Sequence, residues 1–240
     1  MPVNDPPVLR ALDRQRSRDL PLSALGPIAI MAPHPDDETL GCGGLIAFCA
    51  QLQVPLTIVA ITDGESSHPG SRRVSPEQLI VWRAEERAQA LAALGAQAAQ
   101  VERLRLPDGG MHTMSTAARQ DCVRQLAAIL CRDRIQTVLV TAADDDHPDH
   151  RASYALTRLA LQQKPTVRLL TYAVWPPLGA IAGGSRWSLD IESVRERKRT
   201  AIDFFVSQRG QIVKDDPAGF IMPAALLSRS LALQELYYPD

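Results

Sequence analysis

The sequence predicts an α/β fold: a single domain with a mainly parallel sheet and helices on both of its faces. Two observations carry this prediction. Short apolar runs, which are typical of buried strands, alternate along the chain with longer segments typical of helices. The segments between successive runs are long enough to cross the sheet, as parallel neighbours require. The 240 residues, 45% of them hydrophobic, are also sufficient for one well-packed core.

The expected elements follow one another without an internal repeat or a convincing linker. Apolar and β-branched runs predict strands at 27–32, 56–62, 101–106, 137–141 and 167–174. Helices are expected at 36–53, 75–94, 115–131 and 191–205, and a fifth opens within 144–150 and runs through 161. The glycines of the first helix weaken it intrinsically, so we expect them to permit close packing; they are Gly41, Gly43 and Gly44. Residues 1–26 are predicted to be an N-terminal extension, with a short surface helix around residues 8–12, and 27–240 the main domain.

Composition argues against several classes of partner. A net charge of −1 gives no electrostatic reason to bind nucleic acid or an anionic membrane surface. No apolar run approaches the ~18 to 20 residues that span a bilayer, and the N-terminal residues lack the features of a secretory signal. The cysteines form no CxxC pair and are expected to be small core residues, as suits a reducing cytoplasm; they are Cys42, Cys49, Cys122 and Cys131. The sequence gives no sign of oligomeric state.

Histidines and carboxylates cluster in two short segments, each directly after a predicted strand. The first is Ala-Pro-His-Pro-Asp-Asp-Glu at residues 32–38 and the second is His-Pro-Asp-His at 147–150, and together they hold three of the five histidines. Ligands of such sheets bind outside the carboxyl ends of the strands. Two imidazoles and one carboxylate suit a catalytic zinc, which keeps an open position. Acids at helix starts are also favoured by capping alone, but two such segments together favour a site. We expect the other histidines, His68 and His112, at the surface.

These two segments resemble the motifs of the LmbE-like, or PIG-L, family of zinc deacetylases. That family includes enzymes that deacetylate N-acetylglucosaminyl intermediates in GPI-anchor, mycothiol and bacillithiol assembly, and tailoring enzymes of glycopeptide antibiotics. The resemblance covers about residues 28–210. Its supporting motifs follow in family order: Thr62-Asp63-Gly64-Glu65, Arg83 with Glu86, Leu94-Gly95, Leu106-Pro107-Asp108-Gly109, and Lys198 followed by Ser207-Gln208.

The resemblance implies a Rossmann-like fold and a zinc-dependent removal of an N-acyl group, most often acetyl, from a small amino-sugar substrate. It implies a zinc bound by His34, Asp37 and His150. It also implies Asp36 as general base, His147 as the group that stabilises the oxyanion and protonates the leaving amine, and Asp149 as the residue that orients His147. As an acid, His147 would need to be cationic.

The family also suggests that Arg83 and Asp108 hold substrate hydroxyls. Without the resemblance, Arg83 is as readily a surface cation of its helix, and Asp108 part of a Pro-Asp-Gly turn. The loops at 63–75, 107–114 and 176–187 are expected to shape substrate choice. The sequence identifies neither the sugar, its aglycone nor the acyl chain.

Three other functions remain to be weighed. A dinucleotide-binding module would need G-x-G-x-x-G after the first strand, where this chain has acids that repel a pyrophosphate. A non-catalytic binding protein on the same scaffold would require a hidden defect, because all the expected catalytic residue types are present. An amidase that cleaves a larger sugar or thiol conjugate is chemically close to a deacetylase and differs in its products.

Overall fold

The computed structural model describes residues 17–162, 164–175 and 186–240. The helix expected near residues 8–12 and most of the loop at 176–187 lie outside these ranges. The strands are β1 (Ser17–Asp19), β2 (Ile28–Ala32), β3 (Leu56–Thr62), β4 (Gln100–Leu106), β5 (Thr137–Thr141), β6 (Arg168–Tyr172), β7 (Arg186–Asp190) and β8 (Gln234–Pro239). The helices are α1 (Asp37–Gln51), α2 (Pro76–Ala93), α3 (Thr116–Arg132), α4 (Pro148–Leu161), α5 (Arg195–Asp203) and α6 (Ala224–Ser230).

The described strands form one sheet in the order β1-β7-β8-β6-β5-β2-β3-β4. Pairing is parallel throughout, except that β8 runs antiparallel to both of its neighbours, β6 and β7. The parallel core β6-β5-β2-β3-β4 was the predicted set of strands. The expected fold, a mainly parallel sheet, is therefore confirmed.

Helices cover both faces of this sheet. Ile28 and Ile30 of β2 join a core cluster with α1, α2 and α5, whereas Ala29 and Met31 join a second cluster with α3 and α4. Every residue of β2 is buried, as expected of a strand that is covered on both sides. The alternation of side chains along the strand thus divides the core into two layers.

Three of the strands were not predicted, and one predicted helix is shorter. Ser17–Asp19, inside the predicted extension, pair with β7; the segment is short and charged, so no apolar run marks it. Strand β8 has a charged residue, Glu235, at a buried position near Tyr237. The sequence of β8 therefore lacks the apolar pattern that predicts a strand. The helix expected at 191–205 is a 3-10 turn, Glu192–Val194, followed by α5.

Helix α1, which begins in the first histidine segment, is kinked and held by β8. Cys42 has non-helical dihedral angles (φ −130°, ψ 15°). Beyond the kink, the amides of Gly44 and Leu45 donate to the two carboxylate oxygens of Glu235, over 2.7 and 2.9 Å. The Nζ of Lys198 lies 2.7 Å from the same carboxylate, so the buried charge is compensated.

The close packing expected of the α1 glycines is confirmed. An added Cβ would come within 3 Å of a neighbouring side chain at each position: 2.2 Å from Tyr172 at Gly41, 2.8 Å from Lys198 at Gly43 and 2.2 Å from Ile191 at Gly44. These contacts bring α1 against β6, α5 and the turn after β7. The start of α1 is therefore fixed relative to the sheet.

The remaining expectations about single residues have mixed outcomes. The four thiols are free, and Cys42, Cys49 and Cys122 are buried as predicted, but Cys131 is exposed near the end of α3. His112 is exposed as expected. His68 is buried, contrary to prediction, because Gly219 packs so close to its ring that a Cβ would lie 2.2 Å away.

Among the described residues, every helix is too short or too polar to cross a membrane.

Candidate functional site

The two histidine segments meet at the carboxyl edge of the sheet. One joins β2 to α1 and the other joins β5 to α4, and β2 pairs with β5. The ring centroids of His34 and His150 are 5.3 Å apart, and those of His34 and His147 are 4.6 Å apart. The predicted convergence at this edge of the sheet is confirmed.

The three side chains that the sequence suggested as metal ligands converge on one point. His34 Nδ1 and His150 Nε2 each lie 3.1 Å from Asp37 Oδ2, and the two nitrogens are 3.3 Å apart. Ligand atoms on a tetrahedral zinc, with bonds of about 2.0–2.1 Å, are roughly 3.3 Å from one another. The arrangement therefore fits a zinc-sized ion with three protein ligands.

Charge compensation within this group is strong. Burial opposes ionisation of Asp37, yet His150 and His34 hold the pKa of its carboxyl well below the ordinary value. Burial also opposes protonation of His150, but Asp37 and Asp145 raise its pKa to about 9. A metal ion would take the place of the imidazole protons, because ligand binding requires neutral rings.

The opposite edges of both candidate ligand histidines face carboxylates. His34 Nε2 lies 3.3 Å from Asp108 Oδ1 and 3.5 Å from Asp149 Oδ2, and His150 Nδ1 lies 3.1 Å from Asp145 Oδ2. Such partners fix the orientation of a metal-bound ring. His150 Nδ1 and Asp145 Oδ2 are close enough to interact, and Asp145 contributes to the raised pKa of His150.

Two further groups could gather around a cation: His34 with His147 and His150, and His34 with Asp108 and Asp149, each with ligand atoms within 4.8 Å. In the set around Asp37, by comparison, the three facing atoms lie 3.1–3.3 Å from one another. In the second, Asp108 and Asp149 already accept hydrogen bonds of 2.7 Å from backbone amides of other loops. These engaged carboxylates favour the set around Asp37 as the candidate metal site.

The carboxylate of Asp36 pairs with Arg83. Arg83 Nη2 donates to Asp36 Oδ2 and to the carbonyl of Pro35, each over 3.1 Å, while Nη1 donates to the carbonyl of Gly64 over 3.1 Å. Although Asp36 is the N-cap residue of α1, its side chain makes no capping hydrogen bond. Simple helix capping therefore does not explain this carboxylate.

Burial raises the pKa of Asp36 to about 7, against the opposing effect of Arg83. A value near neutrality is suited to a group that accepts a proton and returns it. Gly64 is part of this arrangement: its φ is +73°, and a Cβ there would lie 2.1 Å from Arg83 Nη1. Arg83, expected to hold substrate hydroxyls, thus has most of its donors engaged by the protein.

His147 is the N-cap residue of α4, and its Nδ1 accepts the amide proton of Asp149 over 3.2 Å. Burial lowers the pKa of His147 to about 4, and the rings of His34 and His150 add to the effect. A lowered pKa favours the neutral ring at pH 7, whereas the acid role implied by the resemblance needs a cationic ring; that role stays a prediction. The link between Asp149 and His147 runs through the backbone amide, because the Asp149 carboxylate faces His34 and Gly109.

A cavity of about 360 Å³ opens beside these groups, within the range of small-molecule sites. The metal-side lining includes His34, Asp36, Asp37, Asp108 and His147. Residues of the loops expected to shape substrate choice also line it: Ser66, Ser67 and Pro69 from the first, and Asp108 and Gly109 from the second.

Several lining residues were missed by sequence reasoning, among them Trp175, Gln208 and Phe220. Trp175 follows β6 at the same sheet edge as the histidines, and that position was a usable signal. Gln208 belongs to the family motif Ser207-Gln208, but no role was assigned to it from the sequence. Its Oε1 is buried without a hydrogen-bond partner among the described residues, which makes it available to a ligand.

A family model described as PIG-L: GlcNAc-PI de-N-acetylase matches residues 29–161, more than half of the chain. The chain belongs to the PIG-L family. Both histidine segments of this PIG-L protein lie inside the matched region. Its resemblance to the family, first inferred from short motifs, is confirmed.

Comparisons with individual proteins agree with this assignment. The chain is 27% identical, over 199 residues, to 1D-myo-inositol 2-acetamido-2-deoxy-alpha-D-glucopyranoside deacetylase of Rhodococcus erythropolis. That alignment covers 74% of this chain and 66% of the relative, so the chain spans just under two thirds of its length.

Two solved structures share the fold of this PIG-L protein. N,N'-diacetylchitobiose deacetylase from Pyrococcus horikoshii superposes with a TM-score of 0.68 at 18% identity, covering 99% of this chain and 94% of that one. A conserved protein from Thermus thermophilus superposes with a TM-score of 0.65 at 24% identity, covering 89% and 94% respectively. At these identities the likeness shows the fold.

Proposed function

We propose that this PIG-L protein is a zinc-dependent hydrolase that removes an N-acyl group, in the first place acetyl, from a small amino-sugar substrate. The observation that carries the proposal is the meeting of His34 Nδ1, Asp37 Oδ2 and His150 Nε2 within 3.1–3.3 Å, beside the separate carboxylate of Asp36. The Rhodococcus relative, a deacetylase of an acetamido sugar, supports this choice of substrate. We assign the activity to residues 27–240 and, given the four free thiols, place it in the cytoplasm.

Zinc, when bound, supplies a Lewis acid for the amide carbonyl and for the attacking water. His34, Asp37 and His150 would hold it. Asp108 and Asp149, which face His34 Nε2, would keep that ring in the tautomer that leaves Nδ1 free for the metal.

Asp36 is the proposed general base. Because Arg83 occupies Oδ2, the other carboxylate oxygen is left to accept a proton from water. The same carboxyl group can then return the proton to the leaving nitrogen, which balances the hydrolysis: water supplies a hydroxyl to the acyl carbon and a proton to the amine. Arg83 is thereby proposed as a positioning residue for Asp36 instead of a substrate anchor.

His147 is proposed to stabilise the oxyanion. Its Nδ1 accepts the Asp149 amide proton, so the proton of the neutral ring resides on Nε2. That N–H would donate to the carbonyl oxygen as negative charge develops on it. The neutral ring has no second proton to give, so the leaving amine takes its proton from Asp36 in this scheme.

Two of the polar residues that line the cavity are proposed as partners of substrate hydroxyls. Asp108 lines it with a carboxylate fixed by the Ser66 amide, and Gln208 offers its unpartnered Oε1. Sites built for hydroxyls discriminate against analogues that lack them. We therefore expect acetylated hexosamines to be better substrates than acetylated amino acids.

The test is release of acetate from a panel of N-acetyl hexosamines and N-acetyl amino acids, with the protein stripped of metal and then reloaded with zinc. Zinc-restored release from the sugars supports the proposal. No release from any compound would indicate a non-catalytic binding protein, and cleavage only of larger conjugates would indicate an amidase. Equal turnover of sugars and amino acids would remove the sugar from the proposal.

A further inference from the structure

The cavity beside the metal point has a second, chemically different side. Five large apolar side chains line it, here called the apolar wall: Leu40, Val174, Trp175, Phe220 and Leu226. None of these residues takes part in the proposed chemistry. The mechanism therefore leaves a sizeable part of the cavity surface without a role.

The wall is assembled from three separate parts of the chain. Leu40 lies in α1 three residues after Asp37, Trp175 follows β6, and Phe220 precedes α6. The rings of Trp175 and Phe220 meet edge to face, with centroids 6.1 Å apart and planes at 79°. Both rings are only partly buried, so they retain surface for a ligand.

The segment that carries Phe220 is fixed in place before any ligand binds. The Phe220 amide donates to the carbonyl of Ser67 over 2.8 Å, and the Met222 amide donates to the carbonyl of Gln208 over 2.7 Å. On the other side of Phe220, Asp216 accepts the Gly70 amide over 2.7 Å. A preformed surface costs little ordering entropy on binding, which favours a specific ligand.

The chemistry of the wall selects its occupant. A polyol or a second sugar placed there would lose water from its hydroxyls and find aliphatic and aromatic carbon in return. An alkyl or aryl group would instead bury apolar surface against these side chains. The wall thus favours a substituent unlike the hydroxylated sugar that Asp108 and Gln208 would receive.

We infer that the apolar wall binds an alkyl or aryl substituent of the amino-sugar substrate, so that the preferred substrate is an amphiphilic glycoside or an N-acyl sugar with a longer chain. This inference rests on the proposed deacetylase function for its reaction, but binding at the wall is measurable without turnover. The substituent belongs either to the aglycone or to the acyl group, and the experiment below separates the two.

Four zinc-loaded reactions are compared by kcat/KM. The reference is methyl N-acetylglucosaminide; the others carry a phenyl aglycone, an inositol aglycone, or a hexanoyl group in place of acetyl. A gain of roughly tenfold or more is expected for the phenyl or the hexanoyl compound, as extra apolar groups give in a fitting pocket. A gain with phenyl identifies the aglycone and a gain with hexanoyl identifies the acyl chain. Equal rates throughout, or the highest rate with inositol, would overturn the inference.

Variants test whether a gain in kcat/KM depends on the apolar wall. Phe220→Ala should lower the ratio of kcat/KM between the apolar and the reference substrate several-fold, and Phe220→Leu should restore part of it. Ile221→Ala is the matched control, because Ile221 is the next residue, is 54% exposed and does not line the cavity. A ratio that stays unchanged in Phe220→Ala, or that falls equally in Ile221→Ala, would overturn the assignment.

Binding is followed independently by intrinsic fluorescence, since the chain has three tryptophans and Trp175 is the one that lines this cavity. Titration with phenyl N-acetylglucosaminide should change the emission of the protein. The change should vanish in Trp175→Phe and persist in Trp187→Phe. A fluorescence change without acetate release would support binding at the apolar wall and reject the deacetylase function. Acetate release at equal rates from all four substrates, without a fluorescence change, would support the deacetylase function and reject binding at the wall.

Discussion

Arg83 Nη2 donates a hydrogen bond to Asp36 Oδ2 over 3.1 Å, and both side chains are almost completely buried. A cation in this position keeps one oxygen of the carboxylate fixed and leaves the other free. A residue that acts through the base, and one that binds substrate directly, should affect different kinetic constants.

The first prediction follows from that pair. Arg83→Met should lower kcat substantially with little change in KM, because it releases Asp36 without removing a substrate contact. Arg83→Lys should recover part of the rate. Arg87→Met is the control, since Arg87 is buried in the same helix and does not line the cavity. A rise in KM at unchanged kcat would return Arg83 to the role of substrate anchor that the sequence suggested.

A second prediction concerns the metal. His150→Ala should abolish zinc retention because it removes one of the three proposed ligands, while the far-ultraviolet circular dichroism stays that of an α/β protein. His112→Ala, an exposed histidine away from the site, should keep about one zinc per chain. The measurement is metal content after gel filtration. Full occupancy in His150→Ala would reject the ligand assignment, and iron or cobalt in place of zinc would leave it intact.

The two neighbouring aspartates should behave differently. Asp36→Asn should retain the metal and lose about 10²-fold or more in kcat, the usual scale for a lost general base. Asp37→Asn should lose metal first, because Asp37 Oδ2 is the atom that both ligand imidazoles face. Metal content and kcat, measured on the same preparations, separate the two effects. Equal metal loss in both variants would contradict the division of labour.

His147 supplies a prediction about pH. Its pKa is lowered to about 4, so the ring is half protonated near that pH and predominantly neutral from about pH 5 upward. His147→Ala should therefore lower kcat by roughly 10²–10³-fold, the scale of a lost oxyanion donor, with zinc retained. The alkaline limb of the pH profile should keep its position. If that limb disappears in His147→Ala, the histidine is the acid after all.

The thiols test the packing of the fold itself. Cys131 is exposed, while Cys42, Cys49 and Cys122 are buried, and burial raises the pKa of the Cys49 and Cys122 thiols to about 12 and about 11. One thiol per chain should react quickly with a disulfide reagent under native conditions, and four after denaturation. Fast reaction of more than one native thiol would mean that the α1 or α3 packing described above is incorrect.

The sequence predicted the strands of the parallel centre of the sheet and the meeting of the two histidine segments, because the apolar strand pattern and the carboxyl-edge rule can be applied to a single chain. The family resemblance assigned Asp37 to the metal and Asp36 to the base, and both assignments stay predictions. What the sequence did not predict is the contact of Asp36 with Arg83, because residues 47 positions apart meet only in the folded structure. Asp149 likewise follows His147 by two residues, yet its carboxylate lies beside His34. The spacing of the residues in the sequence does not predict this contact.

Strand β8 was not predicted from the sequence for a related reason. A buried carboxylate in a strand contradicts the usual apolar pattern, and its explanation lies in the amides of Gly44 and Leu45, about 190 residues earlier in the chain. Lys198, noted only as part of a family motif, is the cation that makes this burial tolerable.

The position of β8 also has a consequence for the order of folding. Strand β8 lies between β6 and β7, so the sheet stays divided until residues 234–239 pair with both neighbours. Until Glu235 is in place, the amides of Gly44 and Leu45 lack their acceptors, and these amides belong to α1, the helix that carries Asp37. The pairing of β2 with β3 joins segments that are close in sequence and can form early, whereas the proposed metal-binding geometry is complete only when this distant strand has docked.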